Sequence, residues 1–389
     1  MSGQDSIDDR PTLADVQTPA LVLDHSVVAA NAEAMTRRAC DLGVELRPHL
    51  KTAKSAAVAE LVTQGGPRKI TVSTLAEAEY FAERGFRDVT YAVNITPGKL
   101  ARVAELERGG CAVRLLVDDP GVAREIARHA TDAGVTLRAL VDIDTGLHRS
   151  GLAVDDPLLL ETARILHEAP DVRFEGVLTH AGNSYGATSA DDIRRIAGEE
   201  RDGAVAAARR LADAGIPSET VSVGSTPTAR FADHLEGVTE MRPGNYVFFD
   251  LFQWLLGCCH RDQIAVSVLA TVISHAPRFN RLLIDAGGLA LSKDRSTADH
   301  PSGGSLGYGL LVEASGEPIS GDLVVRDVNQ EHGFVESAEP IDFAKYPIGS
   351  RVRVLPNHSC MTAAAYETYH VVEGRSAVVV DLWDRVNGW

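Results

Sequence analysis

The sequence predicts an α/β protein: a (β/α)8 barrel of the TIM type followed by a smaller domain of β-strands. Three observations carry this expectation. Between residues 21 and 250, short β-branched runs alternate with longer Ala-, Glu- and Arg-rich stretches at helical spacing. After about residue 263 the Ala-rich stretches give way to short runs separated by Gly, Pro and Asp. A length of 389 residues also exceeds what a single core usually fills, so two domains are expected.

The candidate barrel strands are 44–50, 69–73, 89–93, 112–117, 137–143, 174–179, 221–224 and 241–247. Eight is the number at which a parallel barrel closes. Intervening segments such as 75–84 and 191–212 are rich in good helix formers with one apolar face, suited to an outer ring of helices. A doubly wound open sheet would alternate similarly, but no G-x-G-x-x-G turn follows the first strand. In the second domain, strands are expected at 264–274, 281–285, 322–325, 351–355 and 377–382. The Ser-, Gly- and Asp-rich stretch 294–307 reads as a long loop, able to cover a site or reach a neighbouring subunit.

Composition narrows the function. Hydrophobic residues at 44% and charged residues at 24% describe an ordinary globular protein. Lys and Arg number 38 against 54 Asp and Glu, a formal charge of −16, which repels polyphosphate backbones and argues against nucleic acid as a partner. The first thirty residues show no secretory pattern, and no apolar run is long enough for a membrane span. Five cysteines without framework spacing fit a reducing cytosol, so a cytoplasmic protein is expected.

Chemistry concentrates at predicted strand ends. In 44–54, VELRPHLKTAK, alternation along a strand places Arg47, His49 and Lys51 on one face. A lysine beside an arginine in a partly dry pocket loses proton affinity and becomes available as a neutral amine for imine formation. The competing reading is a solvated basic rim. In 140–152, LVDIDTGLHRSGL, Arg149 could hold a ring atom of a cofactor with His148 packed against it, whereas Asp142 and Asp144 could simply cap a helix. In 177–186, VLTHAGNSYG, His180, Asn183 and Tyr185 suit stacking and hydrogen bonding to a planar ligand, or else form a glycine-tolerant turn.

The segment VSVGSTPT, 221–228, runs a strand into Gly224, Ser225 and Thr226, where backbone N–H groups and hydroxyls converge as a phosphate cradle. RPGNY, 242–246, adds Gly244, Asn245 and Tyr246 after the last strand, and barrels often bind phosphate in the loops after strands seven and eight. A lone turn of this kind is often only a helix cap. In LPNHSCMTA, His358 and Cys360 would face one side of a strand, as N and S ligands of zinc require. Two ligands leave positions for water and substrate, although a buried His and an inert Cys share the same spacing. Glu331 and His332, in an EHG knot, could touch substrate or form a turn.

Taken together, RPHLKTAK, DIDTGLHRSG, HAGNSYG, SVGSTPT, RPGNYVFFD, DAGGLALSKD and PNHSC resemble the D-serine dehydratase and D-threonine aldolase family of fold-type III pyridoxal-phosphate (PLP) enzymes, relatives of alanine racemase. The resemblance runs from about residue 18 to 389. It implies a PLP-binding barrel at 25–262, a β domain with a metal site at 263–389, and a segment 1–24 that packs with the β domain, in a homodimer whose sites are completed across subunits. It implies Lys51 as the Schiff-base lysine, with His49 beside it in the catalytic set. Arg149, His180 and Tyr185 would contact the cofactor ring. Gly224, Ser225, Thr226, Gly244, Asn245 and Tyr246 would hold its phosphate end. His358 and Cys360 would bind a divalent metal: zinc, with manganese or magnesium as alternatives.

One departure stands out: Ala53 occupies the place of a histidine in the family's K-T-H-K segment. The implied reaction is elimination of water from D-serine or a β-substituted D-serine, with Lys51 taking the Cα proton and the metal easing departure of the β-hydroxyl. The alternatives are retro-aldol cleavage of D-threonine-like substrates, racemisation, a PLP carrier without turnover, and a plain sugar-phosphate barrel enzyme.

Overall fold

The computed structural model describes residues 10–66, 68–301 and 304–389; the first nine residues of the expected N-terminal segment, and residues 302 and 303 of the long loop, lie outside it. Two compact units result. The larger runs from Glu33 to Tyr246 and takes back Val386–Trp389; the other combines the described residues up to Ala32 with Val247–Arg385.

The larger unit is the barrel. Its parallel strands are numbered so that β1 (Ala20–Asp24) precedes them: β2 (Glu45–Leu46), β3 (Lys69–Val72), β4 (Asp88–Asn94), β5 (Ala112–Val117), β6 (Leu137–Ile143), β7 (Val172–Thr179), β8 (Thr220–Val223) and β9 (Glu240–Met241). They pair in the order β2-β9-β8-β7-β6-β5-β4-β3. The two ends meet through the segment after β2, where Leu50 N–H donates to Thr71 O at 2.8 Å and Thr71 N–H donates to Pro48 O at 2.9 Å. The final strand stops at Met241, short of the expected 247, because Pro243 cannot donate to a ladder and the chain turns into a 3-10 segment at Asn245–Val247.

Near-continuous Val, Leu and Ala along the strands is the pattern of a parallel sheet covered on both faces, and β5 and β6 are almost wholly buried. Outside, amphipathic helices such as Pro120–Ala133 and Ala190–Asp213 present their apolar sides to the strands. Their starts are set by Asp119 and Ser189, whose side chains accept from backbone N–H groups in the first turn.

Polar groups fill the barrel's base. Arg47, fully buried, pairs with Asp88 at 2.7 Å and with Glu240 at 2.8 Å. Arg114 pairs with Glu175 at 2.5 Å and with Glu240 at 3.1 Å. Burial works against the ionised Glu240 carboxyl, but Arg47 and Arg114 outweigh it and hold its pKa down at about 2.

The second unit is a nine-stranded sheet ordered β11-β14-β13-β12-β15-β10-β1-β16-β17, with β10 also pairing with β11. Here β10 is Val266–Ala276, β11 Arg281–Ile284, β12 Gly309–Glu313, β13 Val324–Val328, β14 Gly333–Glu336, β15 Arg351–Pro356, β16 Thr368–Val372 and β17 Asp381–Asp384. β1 lies between β10, antiparallel to it, and β16, parallel to it. Two of these strands, β12 and β16, went unread in the sequence, each spanning only five residues amid turn-forming neighbours, whereas β14 is the strand expected after the EHG knot.

Candidate active site

Within the barrel unit a cavity of about 400 Å³ opens where strands end, lined by His49, Lys51, Ser73, Asp142, Arg149, His180 and Arg242 among others. Every one follows or closes the C-terminal end of a strand, the face where barrels carry their working side chains. The predicted single face of Arg47, His49 and Lys51 is resolved by depth. Arg47 sits in the ion network below, His49 is buried at the next level, and Lys51 stands exposed at the mouth, in the turn beyond β2.

The two imidazoles are neutral. His180 donates through Nδ1–H to Gly224 O at 3.1 Å, and burial, with Lys51 and Arg242 nearby, lowers its pKa to about 3. His49 accepts at Nδ1 from Lys51 N–H at 3.4 Å and has Nε2 3.4 Å from Ser73 Oγ; burial, then Lys51, Arg242 and His180, push its pKa well below the usual value. Two neutral rings beside a primary amine are acceptors that place no further positive charge there. Asp142 lines the same cavity, accepts from Ser150 Oγ at 2.8 Å, and is pushed up to about 6 by burial.

Arg149 lines the cavity at its exposed end, but His148 does not join it. His148 points to solvent and bonds Asp144 through Nδ1 at 2.7 Å. Asp144 caps no helix; its Oδ1 accepts from Gly146 N–H at 2.9 Å and His148 N–H at 3.0 Å, closing its own loop. Gly151 makes that loop possible, since at φ +97° a Cβ there would sit 2.7 Å from Asp144 N.

The Gly224 and Gly244 loops adjoin this site but do not line the cavity. His180 is the link to Gly224. A Cβ on Gly224 would lie 2.9 Å from Arg242 N, and one on Gly244 2.9 Å from His49 O, so both positions require close backbone approach. Ser225 caps the helix Thr226–Phe231 in a capping box with Thr228, and its Oγ lies 2.9 Å from Ser184 Oγ. Thr226 Oγ1 accepts from Tyr246 N–H at 3.2 Å, while Tyr246 Oη is buried with no hydrogen-bond partner among the described residues. Tyr185, half-buried in the 3-10 turn Gly182–Gly186, does not line the cavity.

Three residues of this site were missed or undervalued in the sequence. Arg242 is buried among carbonyl and hydroxyl acceptors, its Nε donating to Ser222 Oγ at 2.6 Å. Ser73 closes the wall next to His49. Glu200, on the helix Ala190–Asp213, accepts from Ala181 N–H at 2.8 Å and Gly224 N–H at 3.0 Å, so one carboxylate braces both loops. A charged residue on an otherwise apolar helix face was the available signal.

In the β unit, His358 and Cys360 do not lie on a strand, correcting the expectation. His358 is the N-cap of the short helix Ser359–Ala363, and Cys360 sits in its first turn. The two side chains still meet, hydrogen-bonded to each other. Asp294 Oδ2 lies 2.9 Å from His358 Nδ1 and orients the ring so that Nε2 faces away from the carboxylate. Burial of Asp294 is outweighed by hydrogen bonds from His358 and Ser296, which hold its carboxyl at about 2. Asn357 Nδ2 donates to Asp294 O at 3.1 Å and Gly307 O at 2.9 Å, and Ser359 N–H donates to Asp250 at 3.0 Å, fixing the turn. No cluster of three or more His, Cys, Asp or Glu suited to a metal occurs among the described residues, so the ligand set offered is this pair. Glu331 and His332 form the exposed turn between β13 and β14.

Residues 23–251 match the family "Alanine racemase, N-terminal domain", and residues 265–372 match "Putative serine dehydratase domain". The chain is 42% identical to D-threo-3-hydroxyaspartate dehydratase of Delftia sp. (strain HT23), over 97% of this chain and 99% of that one. The chain belongs to the D-serine dehydratase and D-threonine aldolase family. The solved structure of that Delftia enzyme superposes with a TM-score of 0.94, covering 98% of this chain and all of the other. D-serine dehydratase of Dictyostelium discoideum is 33% identical over 94% of this chain and 95% of its own length. Alanine racemase of Clostridium difficile, at 13% identity and a TM-score of 0.69, shares the fold. Similar solved structures of D-threo-3-hydroxyaspartate dehydratase include a histidine-to-alanine variant and, two positions further, a cysteine-to-alanine variant in metal-free form. The family is PLP-dependent, and its members are lyases acting on D-3-hydroxy amino acids. No helix among the described residues is long and apolar enough to cross a membrane.

Proposed function

We propose that this protein is a dehydratase of D-3-hydroxy amino acids, with D-serine and D-threo-3-hydroxyaspartate as its substrates, releasing a 2-oxo acid and ammonia. The carrying observation is the exposed Lys51 amine at the mouth of a 400 Å³ cavity, flanked by two neutral imidazoles. A cavity of this size suits a small cofactor with an amino acid, and an accessible amine suits an aldehyde. PLP, when bound, supplies the electron sink that acidifies the substrate's Cα–H.

Lys51 would hold the cofactor and afterwards take the Cα proton at Nζ. His180 would lie against the ring, fixed by its bond to Gly224 O. Arg149 would neutralise a ring oxygen, and Thr226, Asn245 and Tyr246 would stand at the phosphate end. His358 and Cys360, an imidazole with a braced Nδ1 and a thiol, form a borderline-soft donor pair that fits zinc, which would supply Lewis acidity to a β-hydroxyl leaving group. The chain would act as a homodimer, which mass measurement in solution tests.

Metal-loaded protein incubated with D-serine, D-threo-3-hydroxyaspartate and D-threonine should yield 2-oxo acid and ammonia from the first two. Glycine with an aldehyde, and no 2-oxo acid, would replace the dehydratase reading by the aldolase one. Borohydride treatment of PLP-saturated protein should fix the cofactor mass on the peptide carrying Lys51, and Lys51→Ala should lose both that mass and the yellow colour.

A further inference from the structure

The β unit contains a second cavity, of about 240 Å³, lined by Asp24, Arg353, Leu310, Val312 and Leu355 among others. Strand register puts these five on one face of the sheet. Between β12 and β15, Val312 lies opposite Arg353 and Leu310 opposite Leu355. Leu269 opposite Arg353, and Val22 opposite Ser267, carry the same face across β10 to Asp24 at the end of β1. Apolar side chains thus occupy one half of the cavity floor and two charged ones the other. Both charges are withdrawn from water: 5% of Arg353 and 8% of Asp24 is exposed.

Each charged side chain is only partly satisfied. Arg353 Nε donates to Ser267 Oγ at 2.7 Å, while Nη1 and Nη2 donate to none of the described residues. Asp24 caps the helix that starts at His25. Its Oδ1 accepts from Ser26 Oγ at 2.7 Å, from Ser26 N–H and Gly374 N–H at 3.1 Å, and from Val27 N–H at 3.3 Å, whereas Oδ2 accepts from none of the described residues. The two side chains form no ion pair with each other. Their link is a longer-range attraction, which opposes the fall of the Arg353 pKa to about 10 on burial. The remaining charges of the lining stand at the rim and are settled there: Arg261 pairs with Asp322 at 3.2 Å, Arg375 pairs with Glu317, and Asp262 is exposed to solvent. A buried cation and a buried anion therefore face one cavity, balanced in charge but held apart, and a buried charge without a direct partner is costly.

We infer that this cavity binds a zwitterionic α-amino acid with a short apolar side chain, its carboxylate on the Arg353 guanidinium, its ammonium on Asp24 Oδ2 and its side chain over Leu310, Val312 and Leu355. The planar fork of a guanidinium suits a carboxylate, and an ammonium suits a carboxylate oxygen. A zwitterion adds no net charge to a pair already balanced, yet gives each member the direct partner it lacks. A lone anion or a lone cation would match one member and be repelled by the other.

The test is calorimetric titration of the PLP-loaded enzyme with D-proline and L-proline, whose secondary amine cannot take the place of Lys51 on the cofactor aldehyde. Saturable binding of at least one enantiomer is expected. Cyclopentanecarboxylate, which lacks the amine, and pyrrolidine, which lacks the carboxylate, should each bind at least tenfold more weakly. Arg353→Met removes one charge at similar volume, and Asp24→Asn removes the other while keeping a side-chain oxygen for the helix cap. Each variant should weaken proline binding at least tenfold. Binding unchanged in folded Arg353→Met or Asp24→Asn protein would locate it elsewhere and overturn the assignment. So would cyclopentanecarboxylate or pyrrolidine binding as tightly as proline, or no saturable binding of either enantiomer.

Discussion

His180 shows how far one hydrogen bond and a buried position can commit a side chain. Its Nδ1–H is spent on Gly224 O, and its pKa falls from 6.5 to about 3 in the fold. Below pH 6.5 the unfolded chain takes up a proton that the folded one refuses. Its contribution to stability is therefore complete above pH 6.5 and drains away as the pH falls towards 3. Urea midpoints measured across that window should decline less in His180→Gln than in the parent. Asp142 has the opposite sign. Raised from 3.8 to about 6, its carboxyl favours the fold while protonated, and that contribution is lost as the pH climbs from about 4 to 6. The residues of HLK and of H-x-C were legible in the sequence as types able to do chemistry. That His180 donates to a carbonyl and that His358 is braced by Asp294 depends on neighbours 44 and 64 positions away, whereas His49 accepts from Lys51 only two residues on. Asp294→Ala should weaken zinc binding roughly 10- to 100-fold, because the His358 ring loses the group that orients it. Competition with a chromophoric chelator reads this directly, without recourse to turnover.

At the scale of elements, the barrel strands were legible because their β-branched runs recur at regular spacing, whereas the β unit was read only in part because its strands are short and turn-rich. The clearest element-level device is Glu200. A helix from the outer ring reaches inward and ties the loop at Ala181 to the loop at Gly224 with one buried carboxylate. Glu200→Ala leaves two buried N–H groups unsatisfied and should cost about 2–5 kcal/mol. PLP affinity, followed by fluorescence quenching, should fall with it, since the loops at Ala181 and Gly224 would lose their brace. Gly244 poses a similar geometric constraint. A methyl there meets His49 O at 2.9 Å, so Gly244→Ala should displace the His49 segment and reduce PLP occupancy even where the far-ultraviolet circular dichroism is unchanged.

For the whole molecule, charge is the theme. A formal −16 coexists with a barrel base built on buried arginines, Arg47 and Arg114, that converge on Glu240. Removing that carboxylate leaves Arg47 with Asp88 alone and Arg114 with Glu175 alone, two buried cations each short of one partner. Glu240→Ala should destabilise the protein by about 3–5 kcal/mol in urea unfolding, and Glu240→Gln by less, since it keeps the hydrogen-bonding shape. With Glu240 held at about 2 in the fold, this stabilisation is present above the ordinary pKa of 4.5 and is lost as the pH falls towards 2.

The sequence by itself determined the fold class and the family, and it offered Lys51 and the His358–Cys360 pair as candidates, because each of these rests on local spacing that survives without neighbours. Only the tertiary structure decided which strand-end side chains share a cavity, that Arg47 lies beneath it, that His148 points away from it, that Glu200 and Arg242 support the barrel site, and that Asp294 braces His358 in the β unit. Those outcomes depend on burial and on partners brought together across the chain, and neither composition nor periodicity encodes them.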